Sequence, residues 1–436
     1  MTSRYAFFGR QIMLLVVERN GEAPMSEQDG RQAPTTQRPA NDDKEAWKAY
    51  WNAQGQPWRT QPEIDPERQE ELKRCLATEP DIEKGTYPFK DMKLSRADVE
   101  WLLATLENGR GPVDWEDKSQ RNRKGLDLRG ADLSQKDLSG LPLACIQGGL
   151  TSDEWLYATH EQSNMSVVQM GKADLVEAQL QGTDLYKAQL QGAHLAKTQL
   201  QEAHLVKAQL QGADLRDAQL QEAYLTAAKL QGADLRAAKL QGAHLVEAQL
   251  QGADLRRAEL DGVGLYKATL SYEKYGSALL TDIRWGEVNL AVVDWTTVKM
   301  LGDEHLAHQT KAVADYGAAV RANRQLAVVL RDQGLNEEAD RFAYRAQVLQ
   351  REVWRRQHRY LKYVGSWLLW LLAGHGYRPL RSILWYLAIV IGFALTYYTF
   401  GHLSLWPPDA FVYSLTSFHG RGFFLALKES PLCTTR

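Results

Sequence analysis

The side chains with chemistry in this chain recur at fixed intervals. Asp214, Asp234 and Asp254 stand twenty residues apart, and Arg216, Arg236 and Arg256 follow each of them by two. If twenty residues make one structural repeat, the carboxylates stack in one column and the guanidiniums in another beside it. Like charges one strand spacing apart, about 4.8 Å, repel, and the neighbouring column of opposite sign offsets this. Such a stripe is either a self-compensated surface or a place where an anion or a protein partner docks. Gln181, Gln201, Gln221 and Gln241 form another series with the same interval, as do Gln191, Gln211, Gln231 and Gln251, and both suit stacked amides. His194, His204 and His244 recur just before leucines. His204 and His244 are forty residues apart, too far for one metal ion, so these are expected to be surface rings. The three cysteines, Cys75, Cys145 and Cys433, show no metal or disulfide spacing and suit a reducing compartment. No nucleophile elbow, phosphate-binding loop, zinc motif or dinucleotide fingerprint occurs, so no catalytic residue, metal ligand or cofactor is assigned. With 52 basic and 54 acidic residues the net charge is −2, which does not point to nucleic acid.

What positions these groups is a run of leucines at every fifth position from Leu175 to Leu270, among them Leu195, Leu215, Leu235 and Leu255. Two places before each stands a small residue, as at Ala173, Ala213, Ala233 and Ala253. On a helix a step of five turns about 500°, so the leucines drift around the whole surface. On a flat strand an odd step sends alternate leucines to opposite sides. The chain must therefore turn through a fixed angle in each pentad, with alanine and leucine both pointing inward.

The copies Ala173-Asp174-Leu175, Ala213-Asp214-Leu215, Ala233-Asp234-Leu235 and Ala253-Asp254-Leu255 resemble the A-(D/N)-L-x-x motif of the pentapeptide-repeat family. The resemblance implies a mainly β fold, a right-handed quadrilateral β-helix of four pentads per coil. Upstream, Leu128, Leu133, Leu138 and Leu143 keep the spacing. A helical insertion is expected over about 144–162, opened by Thr151 and Glu154 as a capping box, with register resuming at Met165 and Met170. Downstream, Leu280, Trp285, Leu290, Trp295 and Met300 hold the phase. The repeat region, 126–300, then makes about eight coils, roughly 38 Å of rod. Some members of the family mimic DNA and bind topoisomerases. That takes a strongly acidic rod, and this region sums to only roughly −6.

Around the rod, residues 1–45 are expected to be disordered. Residues 46–125 form a helical, aromatic cap, with Trp47, Tyr50, Trp51 and Trp58 packing together and a helix opened by Ser95 and Asp98. Residues 301–363 are expected as a helical hairpin whose second helix, from Glu337 to about Tyr363, is capped by Asn336 and is basic. Residues 364–436 read as a membrane region: an interfacial helix at 366–373 and a spanning helix at 382–400, nineteen residues without a charge. The basic flank of Arg355, Arg356, Arg359 and Lys362 places the rod in the cytoplasm.

Beyond that helix, residues 408–424 resemble the pore helix and filter of two-helix potassium-type channels. Thr416 enters the segment, and Gly420-Arg421-Gly422 stands where a Gly-x-Gly filter would be. Arg421 departs from that pattern, and no second spanning helix follows, as in a truncated channel-like chain. The expected function is a non-enzymatic scaffold for a protein partner, tethered to a membrane. The alternatives are the cytoplasmic regulatory domain of a channel-like protein and a topoisomerase-binding mimic. An oligomer is compatible with each.

Overall fold

A computed structural model describes residues 38–39, 43–373 and 379–400 of the chain. Its centre follows from the pentads. Each Ala and Leu pair of the central run turns inward, and Leu175, Leu195, Leu215, Leu235 and Leu255 are all buried in one continuous core with Ala173, Ala213, Ala233 and Ala253. The residue before each leucine pairs in parallel with its counterpart one coil on, as in His194 with Asp214, Asp214 with Asp234, and Asp234 with Asp254. The rungs are made by the leucine N–H: Leu215 donates to the Asp234 carbonyl at 2.7 Å.

Four such ladders run the length of the rod, one per side. One begins outside the repeats, at Lys93, and continues through Asp132, Gln169 and Gln189 to Thr269. The chain turns at each corner through a residue in left-handed conformation. Glycine holds this place at Gly212, Gly232 and Gly252, but Lys187, Lys197, Glu222 and Ala237 hold it too, with φ of 56–59°. Left-handed backbone costs an L-residue about 1–2 kcal/mol, so the stacked coils impose it against local preference.

The ladders show two interruptions. Gln147 pairs with Asp184 and Asp132 with Gln169, so one coil carries an insertion of 17 residues beyond the usual twenty. It holds α4 (Ser152–Trp155) and α5 (His160–Met165), each opened by a capping box, at Thr151 and Thr159. It starts later than the sequence suggests: Ile146 is still buried in the core and Gln147 still on a ladder. Register resumes at Met170 and not at Met165, which ends α5 and meets Gly85 and Lys90 outside the rod. The second interruption lies between Asp254 and Leu279, a step of 25 residues. The extra pentad is a hairpin, β1 (Ser271–Tyr272) paired with β2 (Gly276–Ser277), and it leaves the phase of the flanking leucines unchanged.

Helices pack over both ends. On the N-terminal side come α1 (Lys44–Ala53), α2 (Pro66–Leu76) and α3 (Arg96–Gly109). Ser95 and Asp98 form the expected capping box of α3, at 3.1 and 2.8 Å. The helical dihedrals of α3 stop short of Gly109, at Leu106. Val99, Leu102 and Leu103 enter the same core as Leu126 and Leu128. Trp47 and Trp51 of α1 stack with ring centroids 5.8 Å apart, and Arg59 lies over Trp51. On the other side, α6 (Gly302–Thr310), α7 (Val313–Asp332) and α8 (Asn336–Arg356) bring Leu326, Leu330 and Phe342 against Trp295 and Val298. Asn336 is the first residue of α8 and makes no side-chain cap. The basic helix also ends earlier than expected, at Arg356. His358 takes φ of 56° and breaks it, and Lys362 lies in α9 (Tyr360–Ala373).

The last described element is α10 (Pro379–Phe400). It contains the expected spanning segment, but among the described residues no helix is long and apolar enough to cross a membrane. The spanning expectation thus finds no support. The pore-like segment with Thr416, Gly420, Arg421 and Gly422 lies outside the described residues, as does most of 1–45.

Candidate protein-interaction site

Two sides of the rod carry distinctive chemistry. The first holds the acid and base columns. Each Asp sits just before an inward leucine, so its side chain faces out, and each Arg is the first residue of the following corner. Asp214 Oδ1 accepts the backbone N–H of Arg216 at 3.2 Å and its Nε–H at 2.8 Å, and Asp234 with Arg236 and Asp254 with Arg256 repeat the arrangement. Asp174 makes the same backbone bond to Val176, so the carboxylate shapes the corner whether or not an arginine follows. The guanidiniums also reach across coils, Arg216 Nε to Asp234 at 3.8 Å. The Arg216 side chain holds the Asp214 carboxyl below its usual range. An incoming anion would have to compete with these carboxylates, so the geometry is that of a self-compensated surface.

The glutamine series does not stack amide on amide along its own column. The corner amides donate to the mid-side residue of the next coil instead: Gln181 to Gln199 at 2.5 Å, Gln191 to Gln209 at 2.8 Å and Gln201 to Gln219 at 2.9 Å.

The second side carries an aromatic column. His204, Tyr224 and His244 lie on one ladder, and their rings form a column with successive centroids 4.9 Å apart. Asp184 starts this column, 3.1 Å from His204 Nδ1. The corner residues beside it add Tyr186 and Tyr266. At the N-terminal end the insertion covers the side, with Trp155 stacked on Tyr186 and Ser152 within hydrogen-bond distance of His204. Further along it is open, with Tyr224 42% and Tyr266 52% exposed. His194 is on the acid side instead, paired with Asp174 and Asp214. The twenty-residue spacing of His204, Tyr224 and His244 is present in the sequence, but two residue types carry it. Among the described residues no group of His, Cys, Asp and Glu is arranged to hold a metal ion. Cys75 and Cys145 are free, and burial pushes the Cys145 thiol up to about 11.

The rod defines the class. Residues 173–208, 193–232, 203–242 and 233–271 match the family described as "Pentapeptide repeats (8 copies)". Residues 173–271 therefore form a pentapeptide-repeat domain. No curated protein matches the chain. Among solved structures, HetL of the cyanobacterium Nostoc sp. strain PCC 7120, a pentapeptide-repeat protein involved in heterocyst differentiation regulation, is 32% identical over 37% of this chain, with a TM-score of 0.23. The match spans 66% of the HetL chain. A pentapeptide-repeat protein of the Arabidopsis thaliana thylakoid lumen is 25% identical over 25% of this chain and 70% of its own, with a TM-score of 0.19. QnrB1, a plasmid-mediated fluoroquinolone resistance protein, is 19% identical over 42% of this chain and 84% of its own, with a TM-score of 0.20. At such scores these likenesses bear on neither partner nor role.

Proposed function

We propose that this chain is a non-enzymatic scaffold whose rod holds a protein partner along the His204–Tyr224–His244 side, while its C-terminal helices rest on a membrane. The observation that carries the reading is the open ring column. Its rings pack edge-to-face at His204–Tyr224 and stacked at Tyr224–His244, which holds an exposed tyrosine rigid, and tyrosine is among the residues favoured at the centre of protein interfaces. The acid and base columns, being mutually satisfied, contribute solubility and corner geometry.

The membrane part rests on α9 and α10. Leu361 is 92% and Leu380 72% exposed, and Trp367, Leu369, Ile383, Leu384 and Leu395 are exposed beside them. A patch of this kind on a free surface marks an interaction or membrane site. The guanidiniums of Arg355, Arg356 and Arg359 lie just before it in the chain, which favours the anionic cytoplasmic leaflet and a rod in the cytoplasm.

The test is site-specific photo-crosslinking in cells from position 224 or 266, with position 239 on another side as the control. The same protein captured from 224 and 266 but not from 239 supports the reading. Equal capture from all three, or capture from 239 alone, sinks it. Recovery of the chain in the soluble fraction after lysis without carbonate, with none sedimenting with the membranes, would count against the membrane part.

A further inference from the structure

We infer that the arginine-lined cavity at the base of the α9–α10 pair binds a phosphate group, carried by an anionic phospholipid or free in solution. The cavity, of about 630 Å³, opens where α6, α7, α8 and α9 meet. Four guanidiniums line it, Arg345, Arg351, Arg355 and Arg356, against two carboxylates, Glu304 and Glu352.

The charges do not cancel. Arg345 is committed to the buried Glu304, which it grips with Nε at 2.9 Å and Nη2 at 2.8 Å. Arg355 and Arg356 share the single carboxylate of Glu352, at 2.6 and 2.9 Å. Arg351 forms no ion pair among the described residues, and its Nε is buried without a hydrogen-bond partner. It lies over the Trp370 ring, 5.2 Å from the centroid, so the guanidinium is held toward α9. The residue as a whole is only half-buried, so this uncommitted guanidinium can meet an anionic oxygen in the cavity through its nitrogens other than Nε. The planar fork of arginine matches phosphate in charge and in geometry.

The position of the cavity suggests a lipid as the carrier. Tyr363, in the first turn of α9, lines it, and the exposed apolar run of Val364, Trp367, Leu368 and Leu369 begins at the next residue. A basic pocket at the foot of an apolar helix is where a headgroup phosphate sits when acyl chains cover the helix. The lipid source rests on the membrane contact proposed above; the phosphate site itself does not.

The full-length chain is titrated with phosphatidylcholine vesicles, with vesicles containing phosphatidylglycerol, and with inorganic phosphate by calorimetry. R351Q is compared with wild type. R359Q removes one charge from the same segment outside the cavity, and circular dichroism verifies that both variants are folded. Loss of affinity for the phosphatidylglycerol vesicles on the order of tenfold in R351Q, with little change in R359Q, supports the site with a lipid source. Inorganic phosphate bound by wild type and lost in R351Q, without vesicle binding, supports the site with a free source and removes the membrane contact. Equal weakening in the two variants, or no binding of any probe, overturns the proposal. E352Q, which frees Arg355 and Arg356, should tighten whichever probe binds.

Discussion

Arg236 Nε lies 3.6 Å from the Asp254 carboxylate, one coil away, while the same nitrogen donates to Asp234 within its own coil at 2.8 Å. One guanidinium therefore bridges two turns of the rod, and Arg216 does the same between Asp214 and Asp234. The arrangement is exposed, so its geometric regularity overstates its energy.

The triple variant R216A/R236A/R256A should therefore unfold in urea close to wild type at neutral pH, because exposed pairs are worth about 0–1 kcal/mol each. The acid limb should differ. Arg216 depresses the Asp214 carboxyl, so its contribution is present above the unfolded value, about 3.9, and is lost as pH falls through the folded one. Denaturation between pH 2 and 7 should show a shallower loss in the triple variant. A parallel pair of curves would deny the columns any electrostatic share in stability.

Leu215 is 1% exposed in the middle of the core. Leu215→Ala should cost about 2–5 kcal/mol, and Leu215→Asp, which buries a carboxylate without a partner, should abolish the folded rod. Urea denaturation followed by circular dichroism measures both. A Leu215→Asp chain that retains the wild-type midpoint would contradict the inward placement.

Two glycines should respond very differently to alanine. At Gly302 an added Cβ meets the Ser277 carbonyl oxygen at 2.3 Å and the Ala278 backbone at 2.9 Å, where α6 docks on the last coil. Overpacking of this kind costs about 1–3 kcal/mol or more. At Gly232 the added Cβ meets nothing, and the penalty is the left-handed backbone alone, about 1 kcal/mol. Thermal denaturation of the two variants should rank them in that order.

Asp303 sits on the same junction, buried, accepting the Leu280 N–H at 2.7 Å and the Thr281 hydroxyl. Burial raises its carboxyl above the usual range despite these bonds. A raised acid makes the folded state hold its proton more tightly, so this group costs stability as pH rises from the unfolded value through the folded one. The difference in stability between wild type and D303N should move in favour of wild type as pH falls from 7 toward 4. A pH-independent difference would mean that the carboxyl titrates alike in both states.

The rod was legible because its core speaks through a single residue type at a single period: Leu175 to Leu270 leaves no other regular way to bury the leucines. The pairing of Arg216 with Asp214 was legible as well, since a spacing of twenty stacks like on like and a spacing of two sets the two columns side by side on the same coils. The corner conformations were not, because Lys187 and Glu222 carry no local preference for left-handed backbone and adopt it only under the coils on either side. The ring column needed two residue types to be read together. The phosphate cavity was out of reach, since Glu304, Arg351 and Tyr363 come from three helices whose mutual placement no local pattern records.

The hairpin Ser271–Ser277 adds one pentad to its coil, and the leucines on either side keep the same phase. Length can therefore be added to this molecule without disturbing what lies beyond, provided that it leaves and rejoins the coil as a loop: the hairpin does so with five extra residues and the α4–α5 insertion with 17, and the leucines beyond each stay buried. Such loops are thus graft points, and the tip between Tyr272 and Gly276 is where a foreign peptide could be displayed with the remainder of the rod unaltered.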